Sequence, residues 1–310
     1  MADADYVREE DRRQYQGFWR HHLPGFGRPL PPEIWHYTNA DGLIGILKSG
    51  HIWSTQVACM NDSLEQRYFG DLVHKQMEAE RGGDTDPTLD VLYRVAEQLF
   101  AQRDFATAGH FVACFSEVED DLGQWRGYGG GECGYAIGFR PDGIEKALQK
   151  RIGGGLVLPM NYDDGKHLFL AKDVVRWAKK YFQEGLTRGL SDSERWAREH
   201  LMAFAIELDI FASLIKHPKF FGEVEWRITA TLQAGEHSAL MFRQKRTLLA
   251  RHLPLVLAVP ANGNKLPITR IYIGPGPAQH ISKISVGDLL AQTGYAGIPV
   301  EVSKVPYRVP

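Results

Sequence analysis

The apolar runs that read as strands lie at unequal intervals and do not alternate regularly with helical segments. IWHY (34–37), HIWST (51–55), HFVACFS (110–116), GYAIGF (134–139), EVEWRITATL (223–232), LPLVLAVP (253–260) and ITRIYIG (268–274) are short apolar stretches bounded by turn or helix signals. A last strand is expected near 298–305. Helical pattern fills residues 64–80, 89–102, 166–216 and 281–292 instead of following each strand. A doubly wound sheet needs a helix after nearly every strand, so this order predicts an α+β fold. With no internal repeat and no strong linker, the chain reads as a single domain over 1–310. Residues 1–32 form an N-terminal extension, and residues 166–216 form a helical insertion in a domain spanning 33–305.

Local signals sharpen some of these elements. After IWHY, Thr38 and Asn39 read as turn or N-cap residues, and ADGLIGILKS reads as a helix closed by Gly50. Asp62 with Glu65 fits a capping box before the helix at 64–80. Leu201, Phe204, Leu208, Phe211 and Ile215 recur at helical spacing and predict a buried stripe. LPGFGRPLPP (23–32), with four Pro and two Gly, predicts irregular structure.

Composition excludes several classes. A formal charge of −2 over 310 residues gives no global basic field for nucleic acid. Three cysteines without paired spacing do not make a disulfide framework or a zinc site. The charged start, MADADYVREEDRRQ, has no apolar core of a secretory signal, and no run reaches the roughly 18 apolar residues of a membrane span. The expected location is cytoplasmic, with no membrane partner.

The residues that stand out chemically are few. His36 lies in a short apolar strand just before a turn, a common place for ligand contacts; a core histidine bonded to a backbone carbonyl is the plainer alternative. Glu223 and Glu225 alternate with apolar residues, so a strand there would present both on one face, with Arg227 able to pair with Glu225. The plainer reading is an exposed edge strand with a salt bridge. Glu119, Asp120 and Asp121 suit a helix start, and Trp125 and Tyr128 then share a helical face, as packing residues or as a ligand platform. The glycines of 127–134 match neither a P-loop nor a strand-led dinucleotide fingerprint. RQKR (243–246) reads as solvated surface, with polyanion contact as the alternative. No HExxH, GxSxG or metal-spaced cluster is present.

Four blocks together resemble one bacterial family, domain of unknown function 2971: WHYTNADGLIGILKSGHIW, MNDSLE (60–65), CFSEVEDDLGQWRGYGGGECGYAIGF and KHPKFFGEVEWRI (216–228). That family is in turn similar to ADP-ribosyltransferases. The resemblance implies a core of two small packed β-sheets, with NAD as co-substrate and no metal. It implies a catalytic Glu225, with Glu223 on the acceptor side and His36 orienting the ribose. It implies further NAD contacts from Tyr37, Thr38, Ser116, Asn61, Trp125 and Tyr128. The tyrosine stacking on nicotinamide stays open among Tyr37, Tyr68 and Tyr128. The implied activity is cleavage of the nicotinamide–ribose bond, as transferase or glycohydrolase, possible settings being a toxin or phage defence. The acceptor stays open among protein, nucleic acid, small molecule and water. Two alternatives stand beside it: a non-catalytic nucleotide- or partner-binding module on the same fold, and a metal-dependent nuclease using Glu223 and Glu225.

Overall fold

The structure is a computed structural model that describes residues 7–60, 65–102, 109–129, 134–151, 155–189, 192–232, 235–245 and 247–306. The described helices are α1 (Glu9–Phe26), α2 (Ala40–Ser49), α3 (Glu65–Arg81), α4 (Leu89–Gln102), α5 (Leu122–Tyr128), α6 (Pro141–Leu148), α7 (Asp164–Leu186), α8 (Ser193–Ala212) and α9 (Gln279–Gln292). The strands are β1 (Ile34–Thr38), β2 (His51–Gln56), β3 (His110–Ser116), β4 (Tyr135–Phe139) and β5 (Leu156–Pro159), then β6 (Glu225–Thr231), β7 (Met241–Lys245), β8 (Leu248–Val256), β9 (Ile268–Ile273) and β10 (Val300–Val302). The fold is α+β. It divides into two compact units: Met1–Gly27, Met60–Ala108 and Asn161–Phe220 in one, Arg28–Cys59, Gly109–Met160 and Phe221–Pro310 in the other. The segments expected as an N-terminal extension and a helical insertion fall largely in the first unit, together with 60–108.

The first unit is helical. Phe18, Phe69, Leu92, Phe182, Trp196, Phe204 and Ile215 are fully buried in its core, each contributing about 1.5–3 kcal/mol by leaving water. The stripe expected from the sequence is partly seen: on α8 Phe204 is buried with Leu201 and Leu208 packed against the core, Ile215 is buried just beyond the helix, and the side chain of Phe211 lies outside the described residues. α1 runs through the expected irregular segment as far as Phe26. Tyr15 and Phe18 are buried on its inner side, and packing of this kind supplies most of a helix's stability.

The second unit holds the sheet. Its strands run β10-β9-β4-β1-β3-β2-β8-β7, with β6 on β3 and β5 on β6. The two small packed sheets expected are therefore one hydrogen-bonded ten-stranded sheet, forked at β3. One edge of β3 pairs with β6 along its whole length, from His110↔Thr231 to Ser116↔Glu225. The other edge is shared: β1 takes Ser116 through Trp35, and β2 takes Phe111 and Val112 through Gln56 and Thr55. One face of the sheet is apolar and packs Leu43, Ile46 and Leu47 of α2, Ile144 and Leu148 of α6, and Val286 and Leu290 of α9 against Ile34, Phe115, Ile137, Trp226 and Ile228. On the other face Trp35, Tyr37, Ala136 and Tyr272 pack with Trp125 of α5.

The strand–helix–strand opening follows its local signals. Asn39 caps α2, its side chain accepting from the Gly42 amide at 2.9 Å, and Gly50 closes the helix at φ 68°. Glycine allows close packing at Gly129, Gly134 and Gly274: a Cβ on Gly134 would lie 2.5 Å from Gly129 Cα, and one on Gly274 2.9 Å from the Trp125 ring. β5 and β7 were not expected from the sequence. β8 covers 248–256 rather than 253–260; its first residues, Leu248 and Leu249, are exposed in a hairpin arm paired with β7.

Candidate functional site

β6 lies inside the sheet between β3 and β5, so the exposed edge expected for EVEWR is not found. The strand begins only at Glu225; Glu223 ends a 3-10 turn over Pro218–Glu223. Between them Val224 takes a left-handed conformation, φ 43°, a genuine outlier for a β-branched residue. The two glutamates therefore do not alternate on one strand face as the sequence predicts. The kink is pinned from three sides. Val224 N–H donates to Phe221 O at 3.2 Å, Glu117 N–H donates to Val224 O at 3.2 Å, and Ser116 Oγ–H donates to Glu223 O at 2.9 Å. Backbone strain held by its surroundings in this way is a recurring mark of functional positions.

Ser116 and Glu225 are cross-strand partners, and both are buried. Opposed residues in register share a sheet face. The same face carries Arg227, whose Nε and Nη2 donate to the two Glu225 oxygens at 2.7 and 3.2 Å. This pairing, anticipated from the sequence, is bidentate and 5% or less exposed on both sides, so it is a strong charge-assisted contact that has paid heavily in desolvation. Trp226 points to the opposite, apolar face under the Arg28 guanidinium, 5.1 Å from its ring, and its Nε1 is buried with no hydrogen-bond partner among the described residues.

His36 sits at the fork. β1 meets β3 through Trp35↔Ser116, and beyond that point the His36 ring replaces a ladder bond, Nδ1 lying 2.9 Å from Cys114 O. A carbonyl only accepts, so Nδ1 carries the proton and Nε2 is left an acceptor. Burial lowers the His36 pKa, the Cys114 carbonyl partly opposes this, and the Arg243 charge lowers it further, which keeps the ring neutral at pH 7. By strand alternation His36 lies on the apolar face, its ring centroid 5.5 Å from that of Phe115, whereas Trp35, Ser116 and Glu225 share the other face. The register thus brings Ser116 to Glu225 and does not bring His36 to that face.

The other named residues divide between scaffold and surface. Tyr37 is buried; its hydroxyl donates to Val118 O at 2.7 Å and accepts from Asp121 N at 3.1 Å. Burial, reinforced by the carboxylates of Glu119, Asp120 and Asp121, holds this phenol protonated. Trp125 is buried edge-on to Tyr37, 4.7 Å between centroids, with Nε1–H donated to Asp120 at 2.7 Å. Neither ring offers an open face. Tyr128, one turn on, is 41% exposed. Thr38 is half-buried at the end of β1. Tyr68 belongs to the helical unit, 3.2 Å from His167 Nδ1. Asn61 lies outside the described residues, as does Asp62 of the expected capping box. The sequence offered no signal for the Val224 kink, nor for Cys114 as the partner of His36. Among the described residues no group of three or more His, Cys, Asp or Glu is placed to hold a metal ion, and no helix is long and apolar enough to cross a membrane.

Residues 124–228 match the family model for a protein of unknown function, DUF2971. Over that segment, about a third of the chain, the sequence is similar to the DUF2971 family. The DUF2971 segment runs from α5 through β4 and the helices α7 and α8 to the first residues of β6, ending just past Arg227. The Trp125 packing site and the Glu225–Arg227 pair both fall inside it; the His36 and MNDSLE blocks lie before it. No curated protein and no solved structure matches the chain.

Proposed function

We propose that the sheet unit is an ADP-ribosyltransferase-like domain that binds NAD and cleaves its nicotinamide–ribose bond, passing ADP-ribose to an acceptor or to water. One observation carries this reading. Ser116 and Glu225, assigned to NAD from two separate sequence motifs, meet as cross-strand partners on one buried face. In this reading the C–N bond breaks with its electron pair leaving on nicotinamide, and the ribose becomes oxocarbenium-like. The acceptor oxygen or nitrogen then bonds to that carbon and gives up its proton. Glu225 stabilises the positive charge and holds a ribose hydroxyl, and Arg227 fixes the carboxylate in one orientation. Ser116 keeps the 223–225 segment in place.

The second reading is a binding module without chemistry. It is favoured by the same ion pair, because a carboxylate already neutralised by a guanidinium has less charge to offer a cation. The two readings separate in one experiment. The purified chain is incubated with adenylate-labelled NAD, alone and with cell lysate, and nicotinamide release and label transfer are followed. The enzyme reading expects release that falls by roughly 100-fold or more in Glu225→Gln. NAD bound but intact would leave the binding module, and no binding would remove both.

A further inference from the structure

The β7–β8 hairpin differs from the rest of the sheet. β7 is the terminal strand of the sheet order, paired with β8 from Met241↔His252 to Lys245↔Leu248. Around it Met241, Phe242, Leu248 and Leu249 are 42%, 54%, 42% and 67% exposed. The register puts Met241 and Leu248 on one face of the hairpin and Phe242 and Leu249 on the other, so neither face is a buried side turned outward by chance. The charge is one-sided. From His237 to Gly287 the sequence has no carboxylate, whereas the same stretch of sequence carries Arg243, Lys245, Arg246 and Arg251. Arg243 is exposed and forms no ion pair among the described residues.

We propose that the outer edge of β7 receives an extended segment of another protein in which carboxylates alternate with apolar side chains. Such a segment adds a strand: its backbone pairs along β7, its carboxylates fall on the face of Arg243, and its apolar side chains fall on the opposite face and cover Phe242. Charge selects this occupant over a second copy of the chain, whose own basic hairpin would set like charges opposite one another. A nucleic acid would satisfy the basic residues and leave Phe242 in water. The same basic residues keep an otherwise open, apolar edge from pairing with itself. The inference is independent of the NAD reading, and its test uses no NAD.

The test is fluorescence anisotropy of the full chain with a labelled (Val-Glu)5 peptide. Comparison probes are a block peptide of the same composition (five Val, five Glu), a (Val-Glu)5 peptide N-methylated at alternate residues, an oligothymidylate and vesicles containing phosphatidylserine. The expected result is saturable binding of the alternating peptide, lost on N-methylation, and weakened roughly fivefold or more by Arg243→Glu. Phe242→Ser is expected to weaken it as well, and circular dichroism and thermal melting confirm that both variants are folded. Equal binding of the block or N-methylated peptide, an unchanged Arg243→Glu, or no saturable binding overturns the proposal. So does preferential binding of the oligothymidylate or of the vesicles.

Discussion

In the helical unit the two described polar side chains with no exposed surface, His167 and His200, are neutral rings. His200 is fully buried, its Nε2–H donated to Ala178 O at 2.9 Å while Nδ1 accepts from Tyr15 OH at 2.6 Å. His167 is held in the same way between Asn161 O and Tyr68 OH. In the sheet unit the corresponding place is taken by charge, the Glu225–Arg227 pair. The difference lies in what each arrangement tolerates. A neutral ring with both nitrogens satisfied ties helices together at little desolvation cost as long as no proton arrives. A buried ion pair is indifferent to protons near neutrality, but it cannot lose one partner without stranding the other.

The comparison breaks most readily at Arg227. Arg227→Ala leaves Glu225 charged and buried, and urea unfolding of the sheet unit is expected to show a loss of about 3–5 kcal/mol. A loss below about 1 kcal/mol would mean that the pair behaves like a surface salt bridge. Acid tests the other half. Burial lowers the His200 pKa to about 4, with the Ala178 carbonyl partly opposing it. The unfolded chain therefore binds this proton first, near pH 6.5. Stability is fully present above that pH and falls as pH drops toward 4, by on the order of 3 kcal/mol in total for this one group. Melting of wild type and His200→Gln between pH 7 and pH 4 should show a smaller acid slope in the variant; equal slopes would assign the acid sensitivity elsewhere. The smallest effect concerns a polar group that is neither buried charge nor buried ring. Asn39→Ala removes the cap of α2 and is expected to cost about 1 kcal/mol in the melting of the sheet unit, without changing its pH dependence.

What the sequence conveyed was local. The β1–α2–β2 opening was legible because Asn39 and Gly50 are cap residues with one conformational use each, α4 because its apolar period is clean, and β9 because it is a short apolar run closed by Gly274. The Glu225–Arg227 pairing was legible because residues two apart on a strand share a face. The break at Val224 was not, since nothing in EVEWR announces a left-handed valine; the strain is imposed by Ser116, Glu117 and Phe221, two of them far off in the chain. The position of His36 was half legible: its strand followed from apolar pattern, but which face it occupies depends on the β1–β3 register, and register is a tertiary property. β7 escaped because an exposed hairpin arm has no buried side to leave a period behind.

The fork at β3 also bears on the order in which the chain can assemble. As the polypeptide is made from its amino end, β1 and β2 are already available when β3 emerges, so one edge of β3 can be occupied at once. Its other edge waits for β6, and residues 161–220 of the helical unit must be synthesised before β6 exists. Of the ladders that β3 makes, the longest is thus the last that can close, and this edge of β3 has no β6 to pair with while residues 161–220 are being made.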